Sequence, residues 1–320
     1  MAIITNTFTS YSVVGMREDL SNIIYNISPE TTPFISNMTK RRKVANTYFE
    51  WQTDALAAAA ANAQIDGDDL SSFTAVTATV RQGAYTQISR KDAVIADNLD
   101  GATDLAGRKS SLAYQIVKAG EELKRDQEFN LCGVNQASVA GSTSAARKTA
   151  SLSAWIKTNT SKGSGGADPT VGATPTAART DGTQRAFTEA FLKTVMSAVW
   201  SQGGQPKFLM VGATNKQTVS GFAGIAEQRY IAPDGPTTIV GAADVYLSDF
   251  GAISIVPSRF SRARDAYVID PDLVELGTLR PMHTVELAKT GDASKFMVLV
   301  EYGLQVNNEK GLGIIADLTT

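Results

Sequence analysis

The apolar positions of this 320-residue chain change period several times, and each change marks an element. Between residues 103 and 132, Leu105, Leu112, Ile116, Ala119, Leu123 and Gln127 recur at helical spacing as one narrow stripe, while Arg108, Tyr114, Lys118, Glu121, Arg125 and Glu128 fall elsewhere. This predicts a long amphipathic helix of roughly 45 Å, at about 1.5 Å per residue. Thr103 or Asp104 would cap its start and Gly133 its end. Lys118 with Glu122 and Glu121 with Arg125 stand at i,i+4, but such pairs add only about 0.2–0.5 kcal/mol each, so packing must hold the helix.

Upstream, residues 48–52 (Tyr-Phe-Glu-Trp-Gln) and the β-branched stretch 73–88 predict two strands. Between them residues 55–63 are almost all alanine, which favours helix locally, and Asp66-Gly67-Asp68-Asp69 marks a turn. The result is a long hairpin with few large apolar residues, whose arms would extend about 40 Å at roughly 3.3 Å per residue. A hairpin of this kind is marginal alone in water, so it requires a second subunit to cover it.

The remaining pattern is simpler. Residues 1–43 read as an arm, with a short helix after Ser12 carrying Val13, Met16, Leu20, Ile23 and Ile27, broken by Pro29 and Pro33. Residues 151–156 predict a short ordered piece, and the Gly/Ser/Thr/Ala-rich stretch 158–184 an exposed, mobile loop. A helix over 187–200 with Phe187, Phe191, Val195 and Ala198 along one side, followed by strands at 208–211, 244–247, 252–256 and 267–269, predicts an α+β lobe. Strands at 273–279, 284–288, 296–306 and 312–316 predict a terminal antiparallel sheet, with the long helix lying on it.

Composition narrows the function. Thirty Lys+Arg against 32 Asp+Glu is near neutral, so the affinity of a strongly basic surface for nucleic acid is not expected. The run Lys40-Arg41-Arg42-Lys43 reads as a solvated or ion-paired strand start. The chain has a single cysteine, Cys132, which excludes an internal disulfide and fits synthesis in a reducing compartment. It shows neither a basic, apolar leader nor an apolar run of about 18 residues, so neither a signal peptide nor a membrane span is expected.

Candidate chemistry is thin. The carboxylates at Asp66, Asp68 and Asp69 lack the alternation and terminal Glu of a calcium loop. Gly163-Ser164-Gly165-Gly166 lacks the following helix that cradles phosphate, and Gly212-Ala213-Thr214-Asn215-Lys216 has the wrong glycine spacing. His283 reads as a satisfied strand histidine, and Asp265, Asp270 and Asp272 as turn residues beside Pro271. A serine-hydrolase elbow is missing too. No catalytic residue, cofactor or metal site is expected.

Several segments, in order, resemble tailed-bacteriophage major capsid proteins of the Hong-Kong-ninety-seven-type fold. They are Asn46-Thr47-Tyr48-Phe49-Glu50-Trp51-Gln52-Thr53-Asp54-Ala55-Leu56 with Gly67 downstream, Thr86-Gln87-Ile88, and Glu122-Leu123-Lys124-Arg125-Asp126. Later come Ser248-Asp249-Phe250-Gly251, Leu287-Ala288-Lys289-Thr290-Gly291-Asp292, and Glu301-Tyr302-Gly303-Leu304 followed by Asn308-Glu309. The stretch after Ile88 departs from the family pattern, and residues 158–184 match nothing in it.

The resemblance implies an α+β fold: an arm (1–43), an extended hairpin loop (44–91), a peripheral domain of spine helix and sheet (92–186 and 271–320) and an axial domain (187–270). It implies a shell subunit in the virion, made in the host cytoplasm, that assembles with itself as hexamers and pentamers around packaged double-stranded DNA. Trp51, Leu56, Asp66, Asp68, Asp69, Phe73 and Arg81 of the hairpin, with Arg41 and Arg42 of the arm, are the expected subunit contacts. The arm is too short for a fused scaffolding region, so a separate scaffolding protein is expected beside a portal and a possible decoration protein. Contact with DNA would be non-specific. Some relatives cross-link through a hairpin lysine; here no lysine stands between Lys43 and Lys91, so no such link is expected. The alternatives are an encapsulin-type compartment shell, which would enclose an enzyme, and an α+β enzyme with an unrecognised site.

Overall fold

A computed structural model of the chain describes residues 31–68, 73–101, 110–222 and 244–320. The helix expected after Ser12 lies outside them. In chain order the strands and helices are β1 (Lys40–Lys43), β2 (Tyr48–Thr53), β3 (Val80–Tyr85), β4 (Gln87–Ala96), α1 (Asp97–Gly101), α2 (Ser111–Glu128) and α3 (Leu152–Trp155). There follow β5 (Thr160–Ser161), β6 (Thr170–Val171), β7 (Pro175–Ala177), α4 (Glu189–Ser201), β8 (Phe208–Val211), α5 (Ala213–Ser220), β9 (Val245–Ser248), β10 (Gly251–Pro257), β11 (Ala266–Ile269), β12 (Val274–Leu287), β13 (Ala293–Val306) and β14 (Gly313–Ile315).

One sheet has the order β1-β12-β13-β4 and is built on the 14-residue strands β12 and β13. Two strands were expected across Pro281; they are one, because register shifts between Thr278, Arg280 and His283 accommodate a proline that cannot donate to the ladder. The sheet is also not wholly antiparallel, since β1 joins β12 in parallel. Helix α2 lies across one face, burying Ala119, Leu123 and Gln127 against a cluster that includes Ile95, Phe296 and Val298. The predicted stripe therefore faces the core, and full burial of a side chain such as Leu123 contributes about 1.5–3 kcal/mol.

The helix is shorter than its pattern implied. Ser110 is extended (φ −140°, ψ 130°) and its hydroxyl accepts from the Ala113 N–H at 3.2 Å, so α2 starts at Ser111 and its 18 residues run about 27 Å. Thr103, Asp104, Leu105 and Arg108 lie outside the described residues. At the other end α2 passes into a π-helical turn, Phe129–Gly133, and Gly133 is not left-handed as a closing glycine would be. Glycine is needed there for space, since a Cβ would overlap the Phe260 carbonyl and the Phe129 ring. Lys118 and Glu122 do pair, at 3.9 Å.

The second sheet has the order β5-β14-β11-β8-β10-β9. It carries the expected strands of the α+β lobe, but β14, expected beside β12 and β13, is seated here against β11 and β5. Helix α4 packs on it through Leu192, Val195, Met196 and Val199; of the predicted stripe, Phe187 and Val195 are buried in the same cluster, Phe191 packs against it and Ala198 is half-buried. The stretch 212–218, with its single glycine at the N-cap, forms most of α5.

Residues 158–184 are not a free loop. They contain β5, β6 and β7, and Asn159, Gly163, Pro169, Pro175 and Arg179 are buried. Asp317, at φ 62°, accepts the N–H groups of Gly163 (2.9 Å) and Gly182 (2.8 Å) and Nη2 of Arg264 (2.7 Å). Aspartate is among the few non-glycine residues that enter this left-handed region, and these three bonds hold it there.

Candidate subunit interface

The hairpin is two different structures joined at Thr53 and Val80. Its root, β2 on β3, has six paired positions from Tyr48↔Tyr85 to Thr53↔Val80. Phe49 lies over Gly277 and Gly303, where a Cβ would come within 3.0 Å and 2.9 Å of its ring, so both glycines make room for it. Trp51 stacks between Phe49 (centroids 6.1 Å) and the buried Trp155 (5.6 Å). The Gly83 N–H donates to the Ala173 carbonyl at 2.8 Å, so the segment carrying β6 and β7 braces the root.

Below the root sits a carboxylate that sequence reasoning missed. Glu301 of β13 is buried and accepts from Thr86 Oγ1 (2.8 Å), Arg147 Nη2 (2.6 Å) and Arg280 Nε (2.8 Å). Arg147 also donates to the Thr86 carbonyl at 2.8 Å. The cluster ties the end of the hairpin to β12, to β13 and to the segment between α2 and α3. The available signal was a lone charge inside the apolar run Val298 to Leu304.

Beyond the root the ladder stops. The strand expected over 73–88 begins only at Val80, and 55–63 forms no helix despite its alanines. Among the described residues of the tip one turn closes, with the Asp68 N–H on the Ile65 carbonyl (3.1 Å) and Gly67 at φ 82°, a conformation that favours glycine. Side chains here touch almost nothing of their own chain: Leu56 is 99% exposed, Val76 95%, Phe73 84% and Ile65 83%.

The expected contact residues thus divide. Leu56, Asp66, Asp68 and Phe73 are exposed on the tip, Asp69 lies outside the described residues, and Trp51 belongs to the root. Arg81 is exposed, its Nη1 3.7 Å from Glu50 Oε2, a pair worth no more than about 1 kcal/mol. Arg41 and Arg42 are exposed on the edge strand β1, where Arg42 Nη1 donates to Gln305 Oε1 at 2.7 Å.

The arm is fastened by a second missed carboxylate. Phe34, Ile35 and Met38 of the π-helical turn Phe34–Met38 are buried, and the N–H groups of Phe34 and Ile35 donate to the two oxygens of Glu128 at 2.8 and 2.9 Å. Burial pushes the Glu128 carboxyl up to about 7, against the opposing effect of these two bonds. Burial and the charge of Glu128 both raise the neighbouring Cys132 thiol.

The arrangement offers surfaces rather than reagents. Among the described residues no group of three or more His, Cys, Asp or Glu is placed to hold a metal, and no helix is long and apolar enough to cross a membrane. His283 lies exposed on β12 with Nδ1 2.8 Å from the Pro281 carbonyl. Asp265 closes a turn as expected, its N–H donating to the Arg262 carbonyl at 3.1 Å, and its carboxylate is buried against the Arg262 guanidinium (3.0 Å).

This chain matches the family model described as SU10 major capsid protein over residues 3–319. It is 28% identical, over 346 aligned positions and 96% of each chain, to the major capsid protein of Escherichia phage Phieco32. Among solved structures it is similar to the capsid asymmetric unit of cyanophage A-1(L), with a TM-score of 0.68 and 14% identity over 99% of this chain and 100% of that one. A chain from Mycobacterium phage Adephagia gives 0.63 and 10% over 98% and 99%. The SrpI encapsulin complex from Synechococcus elongatus gives 0.56 and 10% over 95% and 96%, a likeness of fold alone. With the family match running over nearly its whole length, the chain belongs to the SU10 major capsid protein family, and is a structural, non-enzymatic subunit of the shell of a tailed-phage virion.

Proposed function

We propose that the subunit assembles as hexamers and pentamers in which each hairpin overlies the neighbouring copy, and that the closed shell encloses packaged double-stranded DNA. The observation that carries this reading is the hairpin tip, whose Leu56, Ile65, Phe73 and Val76 are more than four-fifths exposed. Apolar side chains on an extended, unladdered segment cannot be stable in water without a partner, and a contact repeated by symmetry supplies the same partner to every copy. Leu56, Asp66, Asp68, Asp69 and Phe73, with Arg81, Arg41 and Arg42, are the proposed contact residues, and Trp51 fixes the angle at which the tip leaves the body.

In this reading the arm (1–43), the hairpin (44–91), the peripheral domain (92–186 and 271–320) and the axial domain (187–270) are the working parts, with β14 the one strand of the last fifty residues on the axial sheet. A separate scaffolding protein, a portal and a decoration protein are the proposed partners. The near-neutral charge favours a wall that holds DNA loosely. The test is to replace residues 56–76 by a short Gly/Ser turn and sediment the full chain. Wild-type protein should form megadalton particles, and the variant should stay as small species. Equal assembly by the variant would overturn the reading.

A further inference from the structure

We infer that the acidic hairpin tip of one copy seats on the basic edge strand β1 of the next copy. This rests on the reading above and adds the receptor. From residue 54 to residue 79 the tip carries Asp54, Asp66, Asp68 and Asp69 and neither lysine nor arginine. Asp66 and Asp68 are exposed and have no ion-pair partner among the described residues.

On the other side, β1 concentrates positive charge in four successive exposed residues, Lys40, Arg41, Arg42 and Lys43. Its charge is poorly offset within the subunit. Lys40 reaches Asp272 at 2.8 Å, but that carboxylate also serves Lys207 at 2.8 Å, and the two cations share it. Arg42 is met by the neutral amide of Gln305, while Arg41 and Lys43 have no anionic partner among the described residues. Among the described residues β1 is the outermost strand of its sheet, with β12 alone beside it, so the backbone groups of its other edge face outward as well.

A tip cannot use its own β1. The turn at Asp66 is 13 residues beyond the end of β2, a span of about 40 Å if extended, and the tip side chains are almost wholly exposed in the isolated chain. The strand β1 lies at the root of the hairpin, only a few residues before β2. A tip-to-root contact is therefore heterologous: each copy offers one partner its tip and another its root, and such contacts close into rings. Charges set register and encounter rate here, and the apolar tip residues add contact area.

The test reverses each side alone and then both in the full chain. Asp66→Lys with Asp68→Lys reverses the tip, and Arg41→Glu with Lys43→Glu reverses the strand; thermal melts of unassembled protein confirm that both variants fold, and Arg41→Gln with Lys43→Gln is the milder alternative. At low salt each reversal should lower the assembled fraction at least tenfold, and the four-residue combination should restore most of it. If the single reversals lower assembly and the combination restores nothing, the tip seats elsewhere and the inference falls, while the overlying hairpin stands. If the strand reversal leaves shells intact but reduces their DNA content, β1 is a DNA contact and the inference is overturned. If deleting the tip leaves assembly unchanged, the underlying reading fails with it.

Discussion

Root and tip of the hairpin are contiguous in sequence and opposite in their physics. The root is overdetermined by its own chain: Phe49 over two glycines, Trp51 against Trp155, and Thr86 on a carboxylate that two arginines also hold. The described residues of the tip make one turn and expose Leu56, Ile65, Phe73 and Val76. The difference teaches that the subunit fixes the direction of its hairpin at the root and leaves the tip side chains without contacts of their own, as the proposed overlap with a neighbouring copy requires. Substitutions at the root should therefore act on folding, and substitutions at the tip on assembly.

The largest effect should follow from Glu301→Ala. It removes a buried carboxylate that accepts three hydrogen bonds; Arg147 and Arg280 are partly exposed and can turn to water, so the cost is about 3 kcal/mol, below that of a wholly buried pair. Denaturant unfolding of the unassembled subunit would measure it. A loss below about 1 kcal/mol would mean that the root is held by aromatic packing alone.

Next comes Glu128, which fastens the arm as Glu301 fastens the hairpin. Its carboxyl stands at about 7 in the folded protein against an ordinary 4.5, so the folded state binds the proton more tightly than the unfolded one. Stability from this group is fully present below pH 4.5 and is lost as pH rises through 7, by at most about 3–4 kcal/mol at about 1.4 kcal/mol per pH unit. Wild-type protein should lose stability between pH 5 and 8 relative to Glu128→Gln, measured as the difference between their unfolding free energies. Parallel profiles would show that the carboxylate meets water at this site.

How far the sequence carried this division depends on what each feature writes into it. The tip was legible because its large apolar residues are few and scattered, and the α2 stripe because helical packing needs a period. The placement of β14 was not, since a three-residue strand has no signature that distinguishes one sheet edge from another. Residues 158–184 share their composition with linkers, and their order comes from the distant residues Asp317 and Arg264. Glu128 stands one position beyond the buried Gln127, so a period argument assigns it to solvent, and only the docked arm buries it. The contact residues divided for the same reason: exposure at Leu56 follows from composition, whereas the burial around Trp51 needed Trp155, a hundred residues away.

Gly303→Ala probes the root more gently. The new methyl would stand 2.9 Å from Phe49 Cε1 and 3.0 Å from the Tyr85 carbonyl, and one of these is backbone that cannot turn aside. Overpacking of this kind costs about 1–3 kcal/mol. If the melting temperature falls but shells still form at lower temperature, the root has yielded locally without redirecting the hairpin.

The smallest effect on the subunit, and the sharpest on the comparison, should come from Phe73→Ser at the tip. With the ring 84% exposed, its loss should change the stability of the unassembled chain by no more than about 0.5 kcal/mol. The proposed contact buries the same ring once per copy, and full burial of such a side chain would be worth about 1.5–3 kcal/mol, more than a tenfold change in each contact's equilibrium constant. Assembly should therefore require a markedly higher protein concentration while the melt of the free subunit stays put. A variant that melts earlier yet assembles normally would place the ring inside its own subunit, and the distinction between root and tip would not survive.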